Sequence, residues 1–134
     1  MRVSDNLEKN ISSFYAEILR IKNIVDASKN GEKLFFLLDE IFKGTNSIDR
    51  HIGAKTLINN LSIRDTLGMI STHDLELGDL ELESKGKVKN YHFREYYKNN
   101  KISFDYKLKS GISTTRNAVY LMKLAGIAIE SDNI

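Results

Sequence analysis

The 134-residue chain has no cysteine and no proline, three histidines, and eight glycines that never gather into a loop followed by Lys-Ser or Lys-Thr. Without cysteine there is no disulfide scaffold, no thiolate zinc site and no cysteine nucleophile. His51, His73 and His92 are too widely spaced to suggest a His-rich metal site. Average usage would place roughly seven prolines in this length, and their absence suits a compact α/β unit with short connections. No apolar run approaches the roughly 18 residues of a membrane span, and no basic-then-apolar leader opens the chain, so a cytoplasmic protein without membrane contact is expected. An excess of one charge is missing too. Twenty Lys+Arg face eighteen Asp+Glu, a net +2, which leaves no surplus of cations to neutralise a run of nucleic-acid phosphates. What remains is a chain of one-domain length, 41% hydrophobic and 28% charged, able to form a globular core.

Apolar residues Phe14, Tyr15, Ile18, Leu19 and Val25 recur at helical spacing between Ser12 and Ser28, and Lys29-Asn30-Gly31 ends that helix as a glycine cap does. Leu34-Phe35-Phe36-Leu37-Leu38 is too short for a helix and reads as a strand buried on both faces, the signature of a parallel sheet. Gly44-Thr45-Asn46-Ser47 is a loop, with Ser47 as N-cap and Asp49 in the first turn of a helix reaching about Leu61. A second apolar run, Thr66 to Ile70, ends at Ser71-Thr72-His73-Asp74. Strand, helix and strand make a βαβ unit whose strands direct their carboxyl ends to one edge, where open α/β sheets bind ligands.

The last third changes character. Val88 to Arg94 and Lys101 to Leu108 flank a turn at Asn99-Asn100, and the second segment alternates, with Ile102, Phe104, Tyr106 and Leu108 on one face. That predicts a half-exposed antiparallel hairpin. A final helix carries Ala118, Leu121, Met122 and Ala125 and stops at Gly126.

Asp39 and Glu40 follow a hydrophobic strand directly. In phosphoryl-transfer sites such a carboxylate holds Mg²⁺ and its neighbour orients or deprotonates the attacking water; the plainer reading is an acidic pair opening a surface loop. His73 ends the second strand near the same edge, where it can meet a terminal phosphate or simply face solvent. Ser12 and Ser13, read as preceding the first helix, would cap it or offer an anion site. Lys85, Lys87, Lys89 and Arg94 alternate with Tyr91, Phe93, Tyr96 and Tyr97, a pattern shared by single-strand-binding faces and by solvated hairpins; Asp79, Glu81, Glu83 and Glu95 favour the latter. His51 and His92 have no partner that spacing identifies.

Leu34 to Asp49, reading LFFLLDEIFKGTNSID, resembles the Walker B segment and D-loop of the MutS family of mismatch-repair ATPases, which are ABC-type. MRVSDNLEKNISSFYAEI resembles the family's signature segment, STHDLEL its switch-histidine loop, and YHFRE, ISFDYKLKSGIS and NAVYLMKLAGI its closing hairpin and helix. The resemblance implies a partial P-loop NTPase sheet, with a parallel βαβ core, an antiparallel hairpin and a closing helix, spanning 1–134 as the carboxyl-terminal part of the ATPase domain.

It implies ATP and Mg²⁺ as cofactors. Asp39 would hold Mg²⁺ through water, Glu40 would activate water, and His73 would contact the γ-phosphate. Ser12 and Ser13 would reach ATP on a partner subunit, and Thr45, Asn46, Ser47 and Asp49 would form the loop that communicates across a homo- or heterodimeric interface. The phosphate-gripping loop would lie before residue 1, so the isolated chain is expected to bind nucleotide negligibly, and DNA contacts would belong to other regions. A non-catalytic dimerisation or regulatory module derived from an ABC-type ATPase is the competing expectation. Other ABC-type ATPases fit less well, because no Leu-Ser-Gly-Gly segment precedes the first strand.

Overall fold

A computed structural model describes residues 2–115 and 117–127, with side chains from Leu7 onward except at Asn117. These residues form two compact units that divide after Lys89. Met1, the first residue of the signature-like segment, lies outside the described residues.

The first unit opens with α1, Arg2–Lys29. Ser12 and Ser13 therefore lie inside a helix rather than at its start, and both are exposed. Nothing upstream stops the helix: Leu7, Glu8 and Lys9 are good helix formers, and no glycine or proline intervenes. The carboxyl end is as expected. Gly31 adopts φ 76, its N–H donates to Ser28 O at 3.3 Å, and Glu32 N–H donates to Ala27 O at 3.2 Å, the paired bonds of a Schellman cap.

Strands β1, Leu34–Asp39, and β2, Thr66–Ser71, flank α2, Ser47–Ser62. They pair in parallel, with Leu34 opposite Thr66 and Asp39 opposite Ser71. One face of this pair meets the core. Ile21 of α1, Ile41, the α2 residues Ala54, Leu57 and Leu61, and Leu77 and Leu80 are buried, with Phe36 and Leu38 packed against them. Leu77 lies in a 3₁₀ turn, Leu75–Asp79, and Leu80 begins α3, Leu80–Glu83.

The other face carries Phe35, Leu37, Leu67 and Met69, which are 58–71% exposed. The expectation of strands buried on both faces is thus corrected: within this unit the apolar run is covered on one side only. Gly68 stands opposite Phe36 in the ladder, and a methyl group there would lie 2.4 Å from the Phe36 ring. The absence of a side chain at 68 is what lets that ring lie across β2.

The second unit holds the hairpin β3, Tyr91–Lys98, and β4, Lys101–Ser110, followed by α4, Asn117–Leu124. Asn99 and Asn100 both have positive φ, 52 and 57, as a two-residue type I′ turn requires. The first strand begins three residues later than expected, at Tyr91. The alternation of β4 also breaks: Phe93 pairs with Leu108 but Glu95 with Phe104, and Tyr106 at φ 54 stands in the bulge. Asp105 organises it, accepting from Lys107 N–H at 3.1 Å and from the Tyr96 hydroxyl at 3.1 Å. Ile102, Phe104, Tyr106 and Leu108 are all exposed. α4 ends in a second Schellman cap at Gly126, with Ile127 N–H donating to Met122 O at 3.0 Å, and its Tyr120 ring lies 4.2 Å from that of Tyr97.

Candidate functional site

The parallel register of β1 and β2 brings their carboxyl ends to one edge. Asp39 Oδ1 accepts a hydrogen bond from the Ser71 hydroxyl, and Glu40 N–H extends the ladder to Ser71 O at 2.9 Å. The chain then turns sharply. Glu40 and Phe42 have φ of 44 and 61, the left-handed region that side chains with a Cβ disfavour at about 1–3 kcal/mol per residue. Three contacts hold this turn. Glu17 of α1 accepts from Phe42 N–H at 2.7 Å, Ile41 is buried in the core, and the Phe42 ring lies against Gly53 of α2.

The turn directs the Glu40 side chain across the edge. One of its oxygens lies 2.6 Å from His73 Nε2 and the other meets the Lys43 ammonium. Glu40 is 23% exposed, whereas His73 is 92% exposed. Residues thirty-three positions apart in sequence thus become direct partners at the end of the sheet.

The loop that follows packs on α1. A methyl at Gly44 would lie 2.8 Å from Phe14 Cβ, so the residue before Thr45 touches the residue after Ser13. Thr45 N–H bonds Phe42 O at 3.4 Å. The N-cap of α2 is Asn46, not Ser47: Asn46 Oδ1 accepts from Asp49 N–H at 2.9 Å, and its amide donates to Asp49 Oδ2 at 2.8 Å. Ser47 is the exposed first residue of the helix. Asn46 thus serves Asp49 at both its backbone and its carboxylate.

His51, without an assigned partner in the sequence, lies on α2 with Nδ1 2.6 Å from Asp74 Oδ2 and Nε2 3.9 Å from Glu76 Oε2. These three side chains bring possible metal-ligating atoms within 4.8 Å of one another. Both Asp74 oxygens are already engaged, however, Oδ1 by Glu76 N–H at 3.0 Å, so the group reads as a hydrogen-bonded lock. Only the fold could reveal it, since the two residues lie on separate elements. His92 Nδ1 lies 2.8 Å from Gly111 O, a contact within the hairpin unit. The aromatic and basic residues of that hairpin engage each other, Arg94 lying 5.2 Å over the Tyr96 ring.

The comparisons with known proteins agree with this architecture. The sequence matches the family described as MutS domain V over residues 1–131. It is 36% identical over 127 residues to a DNA mismatch repair protein MutS of Persephonella marina, covering 92% of this chain and 14% of the relative. To the protein of that name in Aquifex pyrophilus it is 33% identical, covering 94% of this chain and 14% of the relative. To the DNA mismatch repair protein MSH3 of Candida albicans it is 33% identical, covering 96% and 13%. The chain therefore spans about one-seventh of the length of these relatives. No helix among the described residues is long and apolar enough to cross a membrane. With nearly all of its length matched to domain V, this chain belongs to the MutS family.

Proposed function

We propose that the chain is the carboxyl-terminal part of the ATP-binding and -hydrolysing domain of a MutS-like protein acting in DNA mismatch repair. It would supply the Walker B carboxylates, the D-loop, the switch histidine and the signature helix. The observation that carries this reading is the shared sheet edge, where Asp39, Glu40, Ser71 and His73 meet at the carboxyl ends of parallel strands.

The donor set suits Mg²⁺. Asp39 and Ser71 offer hard oxygen ligands at an exposed strand end, and Asp39 Oδ2 has no hydrogen-bond partner among the described residues; a small ion that retains several waters fits such a site. When bound, Mg²⁺ supplies neutralisation of phosphate charge. Glu40 is the carboxylate placed to accept a proton from water, on a lone pair that its contacts with His73 and Lys43 leave open. His73 is the partner free to turn away, since solvent surrounds it and Glu40 is its one polar contact among the described residues.

Ser12 and Ser13, on the exposed side of α1, would reach nucleotide on a partner subunit, and the loop residues Thr45, Asn46, Ser47 and Asp49 would communicate across the interface of a homo- or heterodimer. The grip on the ATP phosphates and the contacts with DNA would come from regions outside these residues, and the isolated chain is expected to bind ATP negligibly.

The test is Glu40→Gln in the full-length protein. ATP binding should persist while turnover falls about 10²–10⁴-fold, the range for losing a general base; Asp39→Asn should instead weaken Mg²⁺-dependent ATP binding. Wild-type turnover in Glu40→Gln would remove Glu40 from this role, whereas absence of turnover in the unaltered full-length protein would favour the non-catalytic module.

A further inference from the structure

His73 is 92% exposed and its ring meets Glu40 alone among the described residues, so whether it reaches Glu40 depends on the backbone of the loop after β2. That loop is fastened at the next residue. Asp74 N–H donates to Thr72 Oγ1 at 3.0 Å, Asp74 Oδ1 accepts from Glu76 N–H at 3.0 Å, and Asp74 Oδ2 lies 2.6 Å from His51 Nδ1. A carboxylate only accepts, so Nδ1 carries the proton and donates. The His51 and Asp74 side chains are 26% and 21% exposed, sheltered enough for the bond to be less screened than a surface pair. His51 in turn stands on α2, five residues beyond the Asn46 cap.

We infer that His51 and Asp74 are a positioning pair: they tie the loop carrying His73 to the helix whose cap forms the Thr45–Asp49 loop, so that the two move together. One loop is assigned to this subunit's own nucleotide and the other to communication across the dimer interface, so the pair links the nucleotide site to that interface. The inference rests on the proposed function for the roles of the two loops, while the link itself rests on the hydrogen bonds.

The experiment measures steady-state ATP turnover of the full-length protein carrying His51→Asn, His51→Gln, His73→Ala, and His73→Ala combined with His51→Gln. An asparagine amide can stand in for Nδ1–H; a glutamine amide reaches toward the Nε2 position and cannot. His51→Gln should lower kcat roughly ten- to a hundredfold, the scale of an ångström-sized misplacement, with KM for ATP little changed. His51→Asn should retain most of the turnover, and the double variant should be no slower than His73→Ala alone.

Equal turnover in the Asn and Gln variants, or multiplied losses in the double variant, would overturn the inference. Retained folding, checked by circular dichroism, is required of His51→Gln, and its collapse would count against a positioning role. If His73→Ala keeps full turnover, the proposed role of His73 fails instead. If His73→Ala is slow but His51→Gln is not, the pairing alone fails.

Discussion

Replacing Gly44 with alanine separates loop placement from mere stability. The new methyl would lie 2.8 Å from Phe14 Cβ and 3.0 and 3.1 Å from two further Phe14 atoms, against the roughly 3.5–4.0 Å at which carbon atoms rest. The nearest atom is a Cβ fixed to the backbone of α1, so no rotamer change of Phe14 removes the conflict. The loop must recede from the helix by roughly 1 Å to restore normal separation. It cannot recede freely: Glu17 holds Phe42 N–H two residues before, and Asn46 caps α2 two residues after. Strain of this kind destabilises by about 1–3 kcal/mol. On the proposed function, ATP turnover of the full-length protein should fall by up to about 10²-fold, since the loop would be misplaced by about an ångström. Urea unfolding and steady-state turnover read the two effects. Because the close atom is Cβ, Phe14→Ala should not rescue Gly44→Ala. Wild-type stability and turnover in Gly44→Ala, or full rescue by Phe14→Ala, would refute the reasoning.

Gly68→Ala should cost about 1–3 kcal/mol in denaturant unfolding; because the methyl meets the Phe36 ring, it should cost little in a Phe36→Ala background, and additive losses would contradict this. Asn46→Ala should destabilise by about 1 kcal/mol as the α2 cap is lost. Asn46→Asp should recover only part of that in the same assay, because it keeps the acceptor while setting a carboxylate against Asp49. In the hairpin unit, desolvation and then the Glu95 carboxylate push the Tyr97 phenol up to about 12 from 10.0. A raised pKa means that the fold favours the neutral phenol, so this contribution to stability is full below pH 10 and is lost as pH rises through about 12. Phenolate absorbance should show one late-titrating tyrosine that Tyr97→Phe abolishes; six tyrosines titrating together would refute the assignment.

Much of the scaffold was legible in sequence because it depends on local chemistry. The β1 and β2 runs, the length of α2, the glycine caps at Gly31 and Gly126 and the Asn99-Asn100 turn are each determined by residues within a few positions of one another. The position of Asp39 and Glu40 directly after an apolar strand was legible for the same reason. Reading Ser12 and Ser13 as a helix start failed because the apolar spacing continues upstream through Leu7 and Ile11 and nothing there stops the backbone. The Tyr106 bulge was hidden for a related reason: alternation of residue type does not reveal a backbone that departs from it.

By itself, the sequence determined the order and kind of the elements other than the 3₁₀ turn and α3, and the resemblance to MutS ATPases, because periodicity, turn chemistry and contiguous motifs are written along the chain. Tertiary structure alone decided that Glu40 and His73 touch, that Gly44 seats the loop on Phe14 and that His51 finds Asp74. Each of these joins residues on different elements, and such neighbours are set by parallel register and core packing rather than by spacing.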